Sequence, residues 1–215
     1  MFGTKGENEM FIKDDFLIFK DQTLDGRLEK IKTIIDPKFE TMGAELIPFL
    51  NKQLDSEMYL HIAKHARRSK NPPPDTWMAF SENKRGYKMM PHFEIGYWDD
   101  RLFIWLSALA DIKDKSVYGD NVIESVKTIQ QLDSSFVRSV DHTNKEATVA
   151  ANMITQADGQ KWSRVQTREL LIGQNLDVAD KFFELDKDEQ LNYLKQTLMP
   201  LIEVYKIWTK KTSHF

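Results

Sequence analysis

Residues 92–109 read HFEIGYWDDRLFIWLSAL, and this stretch decides the fold. Phe93, Ile95 and Tyr97 alternate with His92, Glu94 and Gly96 at the two-residue period of a strand, and a second apolar run begins at Leu102. Only Asp99, Asp100 and Arg101 separate the runs, so the spacing predicts an antiparallel hairpin. The second run is apolar at nearly every position, which predicts a strand covered on both faces, one of them by N-terminal helices.

Upstream, TWMAF (76–80) has the composition of a further strand. Before it, Leu28, Ile31, Ile35, Phe39, Met42, Leu46 and Phe49 recur at spacings of three or four, a helical period with one buried face. Pro37 and Pro48 each remove a backbone donor, so a kinked or divided pair of helices is expected. Downstream, Val122, Ile123, Val126 and Ile129 predict a helix within 118–132, and SSFVRSVDH (134–142) returns to strand composition. A helix over 146–154, interrupted by Gly159, and an edge strand at VQTRELLIG (165–173) complete this portion. Asp186 followed by Glu189 is a capping arrangement, and it predicts a long amphipathic helix through Leu191, Leu194, Leu198, Ile202, Tyr205 and Trp208, bent near Pro200. Helices and strands fall in blocks without regular alternation. The expected fold is therefore α+β, a single compact domain over 11–212 with a largely antiparallel sheet packed against N-terminal and C-terminal helices. Residues 1–10 are expected to be a flexible extension.

The chain has 215 residues, is 41% hydrophobic and carries a net charge of -3. That length supports one core, and the charge argues against a surface built throughout for nucleic acid or anionic lipid. With no cysteine, thiolate chemistry and Cys-ligated metals are excluded, and a cytoplasmic location is expected. There is no secretory signal pattern, nor an apolar run near the roughly 20 residues of a membrane helix, so no membrane partner is expected.

Charge is nevertheless concentrated locally. Over residues 61–90, Lys64, Arg67, Arg68, Lys70, Lys84, Arg85 and Lys88 face only Asp75 and Glu82. The connector Asn71-Pro72-Pro73-Pro74-Asp75 is stiff, since consecutive prolines fix φ. It would hold the KHARR and NKRGYK clusters in a defined relation across the TWMAF strand, where guanidinium groups can converge on a phosphate or carboxylate. Gly86 would permit a turn or a close ligand approach beside Tyr87, and Tyr87 is the aromatic expected to stay exposed while Trp77 is buried. His61 and His65 share one side and His92 would be a third ligand, but without a Glu in HIAKH or any cysteine no metal and no cofactor are expected. Lys161, Arg164 and Arg168 beside Asp158 and Glu169 read as a solvated face.

Three functions follow from these residues. In the first, a cationic groove of Arg67, Arg68, Lys84, Arg85 and Lys88 binds an anionic partner, either a phosphorylated small molecule or a short nucleic-acid segment. Arg67 and Arg85 clamp the anion, Asp75 orients an arginine, Tyr87 makes a contact and His92 donates a hydrogen bond. In the second, a hydrolase or transferase pairs His61, His65 or His92 with Asp75 or Glu94 beside the arginines. In the third, the apolar stripe of the C-terminal helix docks a protein or a second copy of the chain.

The elements AKHARR, NPP, DTW.AF and NKRGYK..PHF.IG resemble the YktB-like family of uncharacterised bacterial proteins, from about Phe11 to near the C-terminus. The resemblance implies a compact cytoplasmic α+β domain and brings no activity, cofactor or catalytic residue. The N-terminal residues and Pro74 depart from the pattern.

Overall fold

The structure, a computed structural model, describes residues 10–210. Seven antiparallel strands form one sheet: β1 (Tyr59–Ile62), β2 (Thr76–Ser81), β3 (His92–Tyr97), β4 (Arg101–Ala108), β5 (Val137–Ser139), β6 (Thr148–Ala150) and β7 (Leu170–Asp177), in the order β1-β2-β3-β4-β7-β5-β6. The α+β expectation holds, and so does the hairpin: Tyr97 pairs with Leu102, and the Trp98 N–H donates to the Arg101 carbonyl across Asp99 and Asp100 at 2.9 Å. The expected extension falls mostly on residues 1–9, outside the described residues.

The helices are α1 (Leu24–Lys30), α2 (Asp36–Leu54), α3 (Ser116–Ile129), α4 (Gln156–Arg164) and α5 (Lys187–Thr209). A π-helical turn over Ile31–Ile35 joins α1 to α2, and the Asp36 N–H donates to the Ile31 carbonyl. Pro37, with no N–H, follows directly, and the break expected there takes this widened form. Pro48 does not divide α2, which continues to Leu54. It stands on the exposed side with Ala44, whose carbonyl loses its donor where water can replace it. Asp186 and Glu189 form the expected reciprocal cap of α5 at 2.9 and 3.0 Å. Pro200 lies within α5.

Pairing of Met78, Ile95 and Ile104, and of Phe80, Phe93, Leu106 and Ile172, puts these residues on one sheet face. There they join Phe39, Met42 and Leu46 of α2 and Leu194, Leu198 and Ile202 of α5 in the main core. Strand β4 is covered by α5, while α2 lies over β1 and β2, so the helix expected above the apolar run is the C-terminal one. Leu194 and Leu198 are fully buried, and the α5 stripe is spent inside the molecule.

Three local expectations are corrected. Residues 148–150 form β6 and 151–153 a short 3-10 turn, and the helix starts later, at Gln156, after Thr155, whose side chain forms a capping box with Asp158. Gly159 lies inside that helix, where an added Cβ would meet Ile123 of α3 at 3.2 Å; the glycine permits close packing and interrupts nothing. VQTRELLIG supplies β7, which is central, between β4 and β5. A run such as LLI shows that a strand is buried but not where it pairs.

Candidate functional site

The sheet face away from the core carries Trp77 and Ala79 of β2, His92 and Glu94 of β3, and Phe103, Trp105 and Ser107 of β4. Gly96 and Gly173 allow the rings to lie close over the strands: a Cβ at Gly96 would stand 2.6 Å from Phe103, and one at Gly173 2.6 Å from Trp105. Phe103 stacks on Trp105 with centroids 4.5 Å apart, and Trp98, Leu109 and Leu171 complete a second, smaller apolar cluster.

Above this face the segments on either side of β2 rise as loops. The proline connector is anchored from below: Arg27 of α1, itself buried, donates to the Pro73 carbonyl at 2.8 Å and also to the carbonyls of Phe19 and Asp21. At the other end of this loop His65 adopts a left-handed conformation, φ 48°, uncommon for a side chain of this size. A turn from the Arg68 N–H to the His65 carbonyl and a 3.1 Å hydrogen bond between His65 Nε2 and Thr76 Oγ1 hold it there. The strained turn presents Arg67 and Arg68 at the rim.

A cavity of about 550 Å³ opens beside this rim, lined by Lys64, His65, Arg67, Arg68, Asp75, Trp77, Tyr87, Lys88 and Asp111 among others. Its back wall is aromatic. Trp77 Nε1 donates to Tyr87 Oη at 2.8 Å, His65 meets Trp77 edge-on, and the Lys88 ammonium lies 5.5 Å from the Trp77 ring centroid. Among the described residues, Lys64, Arg67, Arg68 and Lys88 make no ion pair, so four cations border one hollow uncompensated by direct contact. Burial lifts the Asp75 carboxyl to about 6 against the pull of His142 and Arg68. Burial, with repulsion from Arg68 and Lys88, lowers His65 to about 4. The Tyr87 phenol is raised by burial and by Glu94.

Asp75, Trp77 and Lys88 also border a narrow crevice of about 10 Å³, lined further by Glu94 and His142 and by the apolar Phe103, Trp105 and Leu109. Both Glu94 oxygens are engaged, one by His92 Nε2 and one by Ser107 Oγ, each at 3.0 Å. Burial alone would raise Glu94, but His92 and these hydrogen bonds hold it below its ordinary value. His142 is fixed by Glu169, which accepts from its ring Nδ1 at 2.7 Å and from its backbone N–H at 2.8 Å. Glu169 also accepts from the Ala110 N–H. The Glu169 hydrogen bond raises His142 above its ordinary value in spite of burial. Lys115 secures the loop before Glu169 by donating to the carbonyls of Val165 and Arg168.

The structure therefore brings Arg67, Arg68, Asp75, Tyr87 and Lys88 to one cavity, but not Lys84 and Arg85, which are exposed and outside its lining. His92 sits beneath the pocket, fully buried, with Nδ1 on the Met90 carbonyl and Nε2 on Glu94; it is a support for Glu94 and has no ring nitrogen left for a ligand. Asp75 forms no ion pair with either arginine among the described residues. Tyr87 is half-buried between His61 and His92, Trp77 is only partly buried, and a Cβ at Gly86 would meet nothing within 4 Å. Glu169, read as part of a solvated face, is 6% exposed. The residues missed are His142 and Glu169, 27 positions apart, a separation that no local motif marks.

Asp141, His142 and Glu169 place one donor atom each within 4.8 Å of one another. Their hydrogen bonds account for the grouping without a metal, since Asp141 Oδ1 accepts from Thr143 and the Glu169 oxygens are taken by His142 and Ala110.

The model of a domain of unknown function, DUF1054, matches residues 11–205. The UPF0637 protein of Oceanobacillus iheyensis is 38% identical over 92% of this chain and 95% of its own length. Those of Latilactobacillus sakei and Lactiplantibacillus plantarum are 39% and 41% identical, over 94% and 92% of this chain and 100% and 94% of theirs. No helix among the described residues is long and apolar enough to cross a membrane.

Proposed function

The chain belongs to the DUF1054 family, whose bacterial relatives bear out the expected YktB-like resemblance, and from that premise we propose that it binds a small phosphorylated molecule in the cavity beside Arg67 and Arg68. The observation that carries this reading is the cluster of Lys64, Arg67, Arg68 and Lys88, free of ion pairs among the described residues, around a hollow of about 550 Å³. Guanidinium groups match phosphate oxygens in pairs. The volume falls within the roughly 300–1,000 Å³ of small-molecule pockets, which favours a metabolite over a strand of nucleic acid. Trp77 and Tyr87 offer an apolar wall to the remainder of the ligand.

The test is a thermal-shift screen against sugar phosphates, nucleotides, pyrophosphate and short oligonucleotides, because a ligand of the native state raises apparent stability by mass action. A small phosphorylated compound should stabilise the wild type, and the shift should vanish in R67A/R68A and persist in R85A. A shift that survives R67A/R68A would sink the reading. A preference for oligonucleotides, with affinity falling steeply with salt, would replace it with nucleic-acid binding.

A further inference from the structure

We propose that the crevice below this pocket is a hydrolytic centre for phosphate monoesters, in which Asp75 takes a proton from water and His142, oriented by Glu169, protonates the departing oxygen. The inference rests on the pocket reading and adds chemistry to it. Asp75 borders both the cationic cavity and the crevice, so it stands where a phosphate gripped by the arginines would meet the inner wall. A crevice of about 10 Å³ is near the lower limit for one water molecule, the size a single nucleophile requires.

His142 has the form of an acid-base residue. Glu169 engages its Nδ1, no protein group among the described residues bonds its Nε2, and the side chain lines the crevice. A carboxylate behind the ring favours the imidazolium, whose Nε2–H is then a donor. Burial keeps Asp75 more basic than an ordinary carboxylate, an effect that His142 and Arg68 oppose and Glu94 reinforces. Glu94 is not available for this role, since both its oxygens are engaged.

The step balances without a co-reactant. The water oxygen bonds to phosphorus as the ester P–O bond breaks, and that bond's electrons leave with the alcohol oxygen. One water proton passes to Asp75 and the other remains on the phosphate. The proton of His142 Nε2 goes to the departing oxygen, and both residues return to their starting states by exchange with solvent.

The experiment measures phosphate release from glucose 6-phosphate, glycerol 3-phosphate and adenosine 5′-monophosphate, whose alcohol leaving groups need a proton, with affinity for the same compounds measured by calorimetry. Wild type should release phosphate from at least one of them. Asp75→Asn and, independently, His142→Asn should each lower turnover by roughly 10²- to 10⁴-fold, with affinity changed less than about threefold. Glu169→Gln should shift the alkaline limb of the pH–rate profile downward, which loss of a merely structural contact would not do. Binding by wild type without phosphate release, or turnover retained in both Asn variants, overturns the hydrolytic reading and leaves the pocket reading standing. Affinity lost in step with rate assigns these residues to binding and also overturns it. Absence of any binding removes both.

Discussion

His142 Nδ1 stands 2.7 Å from Glu169 Oε2, and the same oxygen accepts the backbone N–H of His142 at 2.8 Å. The bonds join the loop after β5 to the start of β7 and leave the other ring nitrogen uncommitted. His142 should titrate above the ordinary histidine value, and Glu169→Gln should bring it down, as followed by the ring resonances in NMR. The pair's stabilisation has two limits. A raised histidine contributes fully below about 6.5 and loses its contribution as pH rises through the folded value; a lowered glutamate contributes above about 4.5 and loses it as pH falls through its own. Unfolding measured from pH 4 to 9 should show the difference between wild type and E169Q greatest between these limits, at about 2 kcal/mol. A difference flat across the range would mean the pair is not charged as described.

Asp75 has the opposite sign. Burial raises it to about 6, so the folded state holds a proton that the unfolded chain gives up near 3.8. The native state then binds more protons between these values, and stability falls as pH rises through that window. Asp75→Asn removes the burden and should stabilise the protein at pH 7 by up to about 3 kcal/mol while changing little at pH 3.5. Chemical denaturation at the two pH values tests this, and a loss of stability in D75N at pH 7 would contradict it.

What could be read from the sequence follows the range of the interactions. The β3–β4 hairpin and the Asp186 cap are written within a few residues, by the alternation around Asp99-Asp100 and by the three-residue step to Glu189. The place of β7 depends on its pairing with β4 on one side and β5 on the other, which composition cannot express. The site divides in the same way. Arg67, Arg68, Asp75, Tyr87 and Lys88 were legible because the proline connector and strand β2 keep them near one another. Lys84 and Arg85 carry the same charge, but exposure on a turn beyond β2 puts them outside the cavity lining, and nothing in charge or spacing records that. His92 with Glu94 was legible as a pair, but not its burial beneath the pocket.

The ion pair between Lys38 and Asp15 is buried, 4% and 1% exposed at the side chains, with the Tyr97 hydroxyl donating to the second Asp15 oxygen at 3.1 Å. It fastens the N-terminal segment carrying Phe16 and Phe19 to the core. Burial outweighs the attraction of Lys38 and keeps the Asp15 carboxyl above its ordinary value, so the pair confers less than its geometry suggests. Removal of one partner leaves the other charge buried alone. Lys38→Met should therefore cost about 3–5 kcal/mol, and Lys38→Met with Asp15→Leu distinctly less. Urea unfolding of Lys38→Met, Asp15→Leu and the double variant measures the coupling; a double-variant loss equal to the sum of the two single losses would show that the charges are independent.

Arg27 extends the argument from stability to the site. Its guanidinium donates to three carbonyls, those of Phe19, Asp21 and Pro73, at 2.7 to 2.9 Å, and the last joins it to the connector carrying Asp75. The side chain lies outside the cavity lining, so its effect on ligand affinity is indirect, and Pro73 is its link to the loop that carries Asp75. Arg27→Ala should cost about 3 kcal/mol, because three carbonyls lose a charged donor, and it should also weaken binding of a phosphorylated ligand by releasing the loop between Arg68 and Asp75. Arg27→Lys keeps the charge but replaces a planar fork with a single ammonium, so it should restore neither property in full. Denaturation and calorimetry on the same samples separate the two effects. Lost stability with unchanged affinity would show that the stiffness of Pro72-Pro73-Pro74 alone is enough to hold the pocket.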